Sequence, residues 1–525
     1  MDDDPSVTAE DIGQYARRAR LDPDRFDPEE QAAAMAAQDD LVSRLDELEL
    51  PTAPDRTFWD PNEDDDPHAA FLSRCDIQRT DDGVLSGLTV AVKDNIAVAG
   101  LPMTAGSPLF ADHVPAEDAT VVDRLLDAGG RIVGKANMDE FAFGGDAETM
   151  RFRLARNPND PEHQPGGSSA GSGVAVADGL ADVALGSDTG GSVRFPASFC
   201  GVVGLKPSRG LVPLTGFVQF SKLNDEIGVL ADTVANAART LDAIAGPDPQ
   251  DAATAGSTPQ AYVDAVDGVD AAAVETLTVG VPDELFGGEP AVDETVRAAL
   301  DELAAAGATV REVSIPNFEY AIPAWWAIAM TEVAAYVERN GANFWQRSVA
   351  DPAFTAAVDE ALAERAGELG DYPAEAFLYG QHLLAADGPE YYARAQRARA
   401  LVTAGVEDAL EGVDVLAGRR RRWSRPRGRA RATWRTVRST RRSARRGRST
   451  SPAIRRSRCP VARTTGSRSG CSSSPGAAPT RLRSGRRRSG SRSPSRWHSG
   501  SSSHWFTDCG VTPVTLIALL PSLCV

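Results

Sequence analysis

Two loops rich in glycine and serine constrain the fold of this chain more than any other feature. The first runs from Pro165 to Gly173 and the second from Gly186 to Arg194. Glycine lets a backbone adopt positive φ and approach a ligand closely, and serine supplies hydroxyls that can act as nucleophile, donor or acceptor. The residues between the loops predict a helix over 170–180 and a strand over 182–186. We therefore expect both loops to contribute to one site.

The residues alone leave several interpretations of the first loop open. A P-loop would end in Gly-Lys-Ser/Thr, and the loop contains no lysine. A nucleophile elbow, G-x-S-x-G, would centre on Ser169, but it needs a preceding strand and a downstream histidine. The segment 157–161 before it is turn-like, and His382 is the only histidine between residues 170 and 418. A loop with a purely structural role is the remaining alternative.

Four separated segments resemble the amidase signature family. In chain order they are Val90–Ile96, Gly166–Ser169, Asp188–Arg194 and Phe199–Pro207. The resemblance extends from about residue 83 to about residue 418. It implies an α/β fold with a central mixed, twisted sheet covered by helices on both faces. Within the family, segments 81–87 and 210–216 look like those of the free-standing amidases that cleave simple carboxamides.

The resemblance implies a Ser-Ser-Lys triad. Ser192 is the expected nucleophile, Ser168 the bridging serine and Lys93 the base, with no metal or organic cofactor. None of the four segments contains a histidine, so the resemblance implies that a lysine activates the serine. At its usual pKa, only about one lysine in 2,500 is neutral at pH 7. Because Lys93 ends an apolar strand, burial could lower its pKa by up to about 3–5.

The resemblance also assigns supporting roles. The peptide bond between Gly167 and Ser168 is expected to be cis. Arg194 is expected to anchor its loop through an ion pair. The expected oxyanion-hole donors are the backbone N–H groups of Thr189, Gly190, Gly191 and Ser192. The residues expected to bind substrate or to support the site are Gly167, Ser169, Asp188, Arg194 and Asp225.

The pattern along the chain predicts three segments. Residues 1–72 are a helical N-terminal segment with a linker, residues 73–418 the catalytic domain, and residues 419–525 an Arg/Ser-rich tail. Alternating strands and helices, such as strand 88–92, helix 118–128 and strand 131–134, favour an α/β sandwich. The apolar run 321–337 reads as a buried helix, with Trp325 and Trp326 lining or capping the core. Lys135 is interpreted as structural, and segment 150–156 departs from the family pattern and leaves substrate size open.

Charge is distributed very unevenly. The tail holds 27 arginines and a single acid, Asp508, which gives +26; since the whole chain carries −19, residues 1–418 carry −45. Residues 1–418 also contain only four lysines. This pattern is typical of proteins from salt-accumulating halophiles, because salt screens the repulsion; an acidic protein of an ordinary cytoplasm is the alternative. The acidic start and the absence of a long apolar run predict a cytoplasmic protein without a membrane span.

The tail has two interpretations. It is either a genuine basic segment that binds nucleic acid or an acidic partner, or the product of a frameshift. The abrupt change after Gly418 favours the frameshift, so the C-terminal part of the fold is expected to be missing or replaced. We expect residues 419–525 to be disordered, to stay out of the core and to add no strand to a sheet.

The sequence therefore predicts an amidase that hydrolyses a carboxamide to its acid and ammonia. One alternative is the A subunit of a glutamyl-tRNA(Gln) amidotransferase, which shares the triad and passes ammonia to a partner that holds tRNA. Another is an inactive, truncated amidase scaffold. The expected partner is a small-molecule amide, and a homodimer is compatible with the pattern. Direct binding of nucleic acid is not expected.

Overall fold

The computed structural model describes residues 7–145, 147–338, 351–385, 388–419 and 517–519. Contacts group the chain into one unit of Met1–Ser424 with Thr512–Val525 and a second unit of Arg425–Val511. The second unit lies outside the described residues. The prediction that the tail is disordered concerns mostly residues that also lie outside them.

Residues 58–59 and 71–72 of the N-terminal segment belong to strands of the central sheet, and its first part forms two α-helices. They are α1 (Ala9–Arg18) and α2 (Pro28–Val42). A capping box between Thr8 and Asp11 begins α1, and the Asp27 carboxylate caps α2. Such caps satisfy backbone N–H groups that have no partner inside the helix. The two helices pack on each other around a small apolar cluster that includes Ile12 and Ala32.

A seven-stranded mixed sheet forms the centre of the molecule. Its order is β1-β2-β4-β3-β5-β7-β6, in which β3 runs parallel to β4 and β5 and the other neighbours are antiparallel. The strands are β1 (Phe58–Trp59), β2 (Phe71–Ile77), β3 (Thr89–Lys93), β4 (Arg131–Ala136), β5 (Val183–Asp188), β6 (Val203–Leu205) and β7 (Glu226–Ala231).

Helices cover both faces of this sheet, which confirms the predicted fold class. Successive strand residues point to opposite faces, so Val90 and Val92 join one buried cluster and Ala91 joins another. On the first face lie α3 (Thr120–Asp127) and α6 (Val234–Ile244), and on the second lie α4 (Ala170–Ala177) and α5 (Arg194–Cys200). Both glycine-serine loops lie next to α4, the first before it and the second after β5.

The rest of the described chain builds a smaller sheet and a group of helices. The sheet has the order β11-β10-β8-β9, with β8 parallel to β9 and β10. The elements are α7 (Tyr262–Asp267), α8 (Ala271–Thr276), β8 (Thr278–Pro282), α9 (Pro290–Ala305), β9 (Thr309–Val313), α10 (Ala321–Glu338), α11 (Pro352–Glu364), α12 (Asp371–Ala385), α13 (Gly388–Leu410), β10 (Val415–Gly418) and β11 (Ile517–Leu519).

The predicted buried helix is α10, which buries Ile328, Met330 and Val333 among other apolar residues. In the part of the chain that the structure describes, no helix combines the length and apolarity needed to cross a bilayer.

The prediction that nothing after Gly418 adds a strand is wrong for one short segment. β11 pairs antiparallel with β10, with Leu416 opposite Leu519. The physical reason is that β10 without β11 would end the sheet with unpaired backbone groups. The last residues of the chain, 511–525, are apolar and differ in composition from the arginine-rich part before them. Charge therefore does not keep them out of a sheet.

Candidate active site

Lys93 ends β3 and is completely buried. Its Nζ lies 2.8 Å from Ser168 Oγ and 2.8 Å from Ser187 Oγ. Asn95 Nδ2 donates to the same Ser187 hydroxyl at 3.2 Å. The strand thus carries its terminal ammonium group to the point where both glycine-serine loops meet.

Burial lowers the pKa of Lys93 to about 7. The cause is loss of hydration, which penalises the charged ammonium form. The carboxylates of Asp139, Asp188 and Asp225 oppose this effect and raise the pKa. A lysine in this state is neutral in a large fraction of molecules at neutral pH, so it can accept a proton.

The loop that carries Ser168 contains the predicted cis peptide bond between Gly167 and Ser168. Glycine is required at position 167, because a Cβ there would lie 2.1 Å from Asp139 Oδ2. The Asp139 N–H donates to the Ser168 carbonyl at 3.3 Å. Ser168 itself is fully buried. Lys93 therefore holds the Ser168 hydroxyl, and Asp139, three residues after β4, holds the Ser168 backbone.

Ser169 joins the two loops. Its hydroxyl donates to the Ser187 carbonyl and accepts from the Ser187 N–H, both at 3.2 Å. Its backbone N–H donates to the Ser192 carbonyl at 3.3 Å. Because the fully buried hydroxyl is engaged on both sides, the geometry favours a supporting role for Ser169 over the nucleophile elbow.

Asp188 organises the second loop. Its carboxylate accepts from the Gly191 N–H at 2.7 Å and from the Val193 N–H at 3.1 Å. Arg194 binds the same carboxylate with two N–H groups, at 2.9 and 2.8 Å. The ion pair predicted for Arg194 is thus present, within its own loop. Ser192 lies inside this loop and is 7% exposed, whereas Lys93 and Ser168 are 0% exposed.

The position of Gly191 changes the expected set of oxyanion donors. The sequence placed its N–H in the oxyanion hole with those of Thr189, Gly190 and Ser192, but here it donates to Asp188. A carboxylate buried to 1% exposure has to be neutralised by close donors, and this N–H is one of them. The φ of Gly191 is +126°, a conformation that favours glycine.

A buried carboxylate and a half-buried indole both bind Thr189. Its hydroxyl donates to Asp225 Oδ1 at 2.5 Å, and its carbonyl accepts from Trp325 Nε1 at 2.8 Å. Burial raises the pKa of Asp225 to about 7. Asp225 also accepts the backbone N–H groups of Phe220 and Ser221. A Cβ at Gly190 would lie 2.7 Å from the Trp325 ring, so the indole covers this part of the loop.

Four residues of this arrangement are not indicated by the sequence: Asn95, Asp139, Ser187 and Trp325. Ser187 stands inside the second loop, and Asp139 follows a buried strand, so position could have indicated both. Trp325 was interpreted only as core packing, and nothing in the local pattern of α10 points to a loop more than a hundred residues earlier. Lys135 forms a buried ion pair with Asp94 at 3.0 Å, which agrees with its structural interpretation.

A small pocket, here called the aromatic pocket, adjoins these residues. Its walls are four phenylalanine rings with one alanine and one valine, and two carboxamide side chains also line it: Phe141, Phe143, Phe220, Phe377, Ala105, Val218, Asn95 and Gln219. Asn95 connects it to Lys93 through Ser187. The atypical segment 150–156 reaches its border, because Arg151 pairs with Glu140 at 3.0 Å, next to Phe141.

Comparison with known proteins matches this chain to one family model and to curated relatives. A family model described as "Amidase" matches residues 68–418. The A subunit of the glutamyl-tRNA(Gln) amidotransferase of Natronomonas pharaonis is 47% identical over 357 residues, which cover 67% of this chain and 82% of that protein. The protein of the same name from Halobacterium salinarum is 46% identical over 361 residues, covering 66% and 82%.

Solved structures of an amidotransferase subunit and of a peptide amidase are both similar to this chain. The A subunit of the Thermotoga maritima glutamyl-tRNA(Gln) amidotransferase has a TM-score of 0.57 and 30% identity, with 82% of each chain covered. The peptide amidase of Stenotrophomonas maltophilia has a TM-score of 0.56 and 33% identity, with 66% of this chain and 72% of that chain covered.

Proposed function

Because this chain belongs to the amidase family, we propose that it releases ammonia from a primary carboxamide by acyl transfer to Ser192. Ser168 is the bridging serine and Lys93 the base. One observation carries this proposal: a fully buried lysine with a pKa of about 7 lies 2.8 Å from the Ser168 hydroxyl. A serine is a weak nucleophile without a base at hand, and this pair supplies one where histidine is lacking.

The proposed steps start from the contact between Lys93 and Ser168. Neutral Lys93 takes the proton of Ser168 while Ser168 takes that of Ser192, and Ser192 Oγ bonds to the carbonyl carbon of the amide. Backbone N–H groups of Thr189, Gly190 and Ser192 stabilise the resulting oxyanion. The proton returns from Lys93 through Ser168 to the leaving nitrogen, the C–N bond breaks and ammonia departs. Water then hydrolyses the acyl-enzyme to the acid.

The finer proposal is that the chain provides the glutaminase activity of a glutamyl-tRNA(Gln) amidotransferase. The support is the similarity to the A subunits of such enzymes, at 46–47% identity over more than four-fifths of their length. The sequence alone favours a free-standing amidase; the comparisons favour the alternative. In this role glutamine is the amide, the other amidotransferase subunits are the partners, and the protein works in the cytoplasm, where tRNA is aminoacylated.

A free-standing amidase is the second candidate, and one observation favours it. The aromatic pocket is lined by apolar and carboxamide side chains, with no ionisable side chain among them. Such a wall suits an uncharged acyl group better than the charged ends of a free amino acid. The similarity to the peptide amidase is compatible with this alternative.

Ammonia release from glutamine tests both levels of the proposal. We expect Ser192→Ala to lose at least about 10³-fold in kcat, because removal of a nucleophile that acts as part of a unit costs this much or more. Ser43→Ala, at an exposed serine outside the site, is the matched control and should retain the wild-type rate. Turnover by Ser192→Ala at the control rate would contradict the mechanism.

Addition of the other amidotransferase subunits separates the two candidates. The glutaminase proposal expects release of ammonia from glutamine to rise when these subunits and glutamyl-tRNA are present. A rate on glutamine that they leave unchanged, together with faster hydrolysis of neutral amides, would favour the free-standing amidase.

A further inference from the structure

Ser187 carries a buried hydroxyl that takes no part in the proposed proton transfer. It lies in β5, directly before Asp188, and is 1% exposed. Its Oγ is 2.8 Å from Lys93 Nζ, and Ser168 Oγ is equally close. Lys93 therefore has two serine partners, although the proposed transfer of the proton uses Ser168 alone. The second partner calls for an explanation.

The backbone holds Ser187 at a fixed place. Its N–H and its carbonyl both bind the Ser169 hydroxyl, each at 3.2 Å. β5 is also paired with β7, where Ser187 lies opposite Ile227. Because β3 and β5 are parallel neighbours, their carboxyl ends carry Lys93 and Ser187 to the same edge of the sheet. The contact between the two side chains is thus built into the central sheet.

Asn95 holds the Ser187 hydroxyl from a second side. It is 2% exposed, and its Nδ2 donates to Ser187 Oγ at 3.2 Å. Its backbone is fixed as well, because the Val218 N–H donates to the Asn95 carbonyl at 2.9 Å. Ser187 Oγ thus accepts from Lys93 and from Asn95. A hydroxyl oxygen has two acceptor lone pairs, so both of those on Ser187 are occupied.

The two serines meet different demands of Lys93 in its two charge states. The ammonium form has three N–H donors and no acceptor, so it donates to Ser168 and to Ser187. The neutral amine keeps two N–H groups and one lone pair, and it acts as a base only when that lone pair faces the Ser168 hydroxyl. Because Ser187 Oγ accepts an N–H in either state, it restricts rotation of the amine about the Cε–Nζ bond.

We propose that Ser187 is a positioning residue: together with Asn95 it holds one N–H of Lys93, so that the lone pair of the neutral amine faces Ser168. The inference rests on the proposed acyl transfer to Ser192 and adds two residues to the machinery around the base. The effect of both residues on the reaction passes through Lys93.

Ser187 also affects the balance between the two forms of Lys93. Burial lowers the pKa of Lys93 to about 7, and the carboxylates of Asp139, Asp188 and Asp225 raise it. An acceptor that binds the ammonium favours the charged form too. Removal of the Ser187 hydroxyl should therefore lower the pKa of Lys93 and also loosen the neutral amine. The two consequences are separable, because the first moves the midpoint of the pH profile and the second lowers its plateau.

The first experiment compares Ser187→Ala with wild type as full chains, by ammonia release from glutamine and from phenylacetamide. We expect the midpoint of the kcat/KM profile to move to lower pH by about 1 pH unit, because a hydrogen bond to a charged group is stronger than one to a neutral group. We expect kcat on the plateau to fall about 10–100-fold, because a misplaced reacting group costs up to about 10²-fold.

A second readout of Lys93 does not depend on turnover. The whole chain contains four lysines, so selective carbon-13 labelling of the lysine Cε gives few NMR signals. The signal that is missing in Lys93→Met belongs to Lys93, and its pH titration gives the pKa of this lysine. Ser187→Ala should lower the midpoint of that titration by about 1 pH unit as well.

Two further variants show whether the effect belongs to this hydroxyl. Ser172→Ala removes another fully buried hydroxyl, one that donates to the Leu185 carbonyl of β5 at 2.9 Å, and should leave the midpoint of Lys93 in place. Ser187→Thr keeps a hydroxyl at position 187 and should keep the wild-type midpoint.

Asn95→Ala tests whether Asn95 acts through Ser187. Alone, it should lower the plateau less than Ser187→Ala does, because its contact with Lys93 is indirect. Combined with Ser187→Ala, it should add little further loss, because changes within one hydrogen-bond network are not additive. If the double variant loses the product of the two single losses, Asn95 acts independently of Ser187 and its part of the inference is wrong.

The outcomes distinguish this inference from the proposed function. A Lys93 midpoint that Ser187→Ala leaves in place, or that Ser172→Ala lowers equally, would overturn the inference. If wild type then still releases ammonia and Ser192→Ala does not, acyl transfer to Ser192 stands without a role for Ser187. If wild type releases no ammonia from any amide, the proposed function itself fails, whatever the titration of Lys93 shows.

Discussion

At the scale of single residues, the chemistry depends on a lysine that burial makes partly neutral near pH 7. With a pKa of about 7, Lys93 is neutral in a fraction about a thousandfold larger than an exposed lysine would be. The hydrogen bonds to Ser168 and Ser187 hold its Nζ in place. Burial and position together supply what histidine supplies in other serine enzymes.

The pH dependence of kcat/KM should report this lysine. The neutral form is the active base, and it accumulates as pH rises through the pKa, so we expect kcat/KM to increase with pH around a midpoint near 7 and then level off. Asp139→Asn removes a carboxylate that raises the pKa of Lys93. This variant should move the midpoint of the kcat/KM profile to lower pH by about 0.5–1 pH unit, since nearby charges shift pKa values by such amounts.

A matched control for that experiment is Asp301→Asn, at an exposed aspartate of α9, which should leave the midpoint in place. A midpoint that Asp139→Asn does not move, or a rate that falls as pH rises through 7, would contradict the role of Lys93 as the base.

At the scale of elements, α10 supports the site from outside the central sheet. Trp325, near its beginning, donates to the Thr189 carbonyl. Two turns later, Glu332 accepts from the Ser221 hydroxyl and the Leu223 N–H, and Tyr392 of α13 donates to it at 2.8 Å. The helix thus fixes both the second glycine-serine loop and the segment that carries Asp225.

Replacement of Trp325 by phenylalanine tests this support. The variant keeps an aromatic ring but loses the N–H that Thr189 accepts. We expect kcat to fall about 3–10-fold, with a smaller change in KM, and stability to fall by about 0.5–1.5 kcal/mol, the net value of one hydrogen bond. Trp326→Phe, at the adjacent and more exposed tryptophan, is the control. Equal losses of kcat in both variants would contradict a specific role for Trp325.

The sequence predicted the elements better than the contacts between them. Strand β3, helix α3 and strand β4 follow directly from apolar runs bounded by glycine or polar residues, because local patterns determine which face is buried. The contact of Trp325 with Thr189 joins residues far apart in the chain, and the donation of the Gly191 N–H to Asp188 depends on the exact loop conformation. Such features follow from tertiary packing, so no local pattern indicates them.

More of the candidate site than of the fold could be predicted from the sequence, because the segments that build the site resemble a known family. The resemblance indicated Lys93, Ser168 and Ser192, and the structure brings the first two into direct contact. It did not indicate the aromatic pocket, whose lining comes from several separate segments and one distant helix, α12. The catalytic roles stay predictions until they are measured.

At the scale of the whole molecule, the main feature is the excess of acidic over basic residues before residue 419. Residues 1–418 carry a formal charge of −45 with four lysines, and two of these, Lys93 and Lys135, are buried. Together with 24 arginines, these lysines give that part of the chain 28 basic residues against 73 acids. The match to the family model ends at Gly418, where the composition changes, and the frameshift interpretation of the following residues stays a prediction.

We expect the melting temperature to rise between 0.1 and 2 M KCl. The Debye length falls from about 10 Å at 0.1 M to about 3 Å at 1 M, so the repulsion between surface acids is screened. A series with sucrose at equal osmolality is the control, because sucrose stabilises by exclusion from the surface without screening charge. A melting temperature that is flat or falls with KCl, or that rises equally with sucrose, would contradict the halophilic interpretation.

The central claim is that Ser192 becomes acylated, and mass spectrometry of the quenched enzyme tests it most directly. After incubation with glutamine or a neutral amide and an acid quench, the proposed mechanism predicts an added acyl mass on the peptide that contains Ser192. The adduct should be absent in Ser192→Ala and strongly reduced in Lys93→Ala. An adduct on Ser169 instead, or ammonia release by Ser192→Ala at the wild-type rate, would contradict the claim.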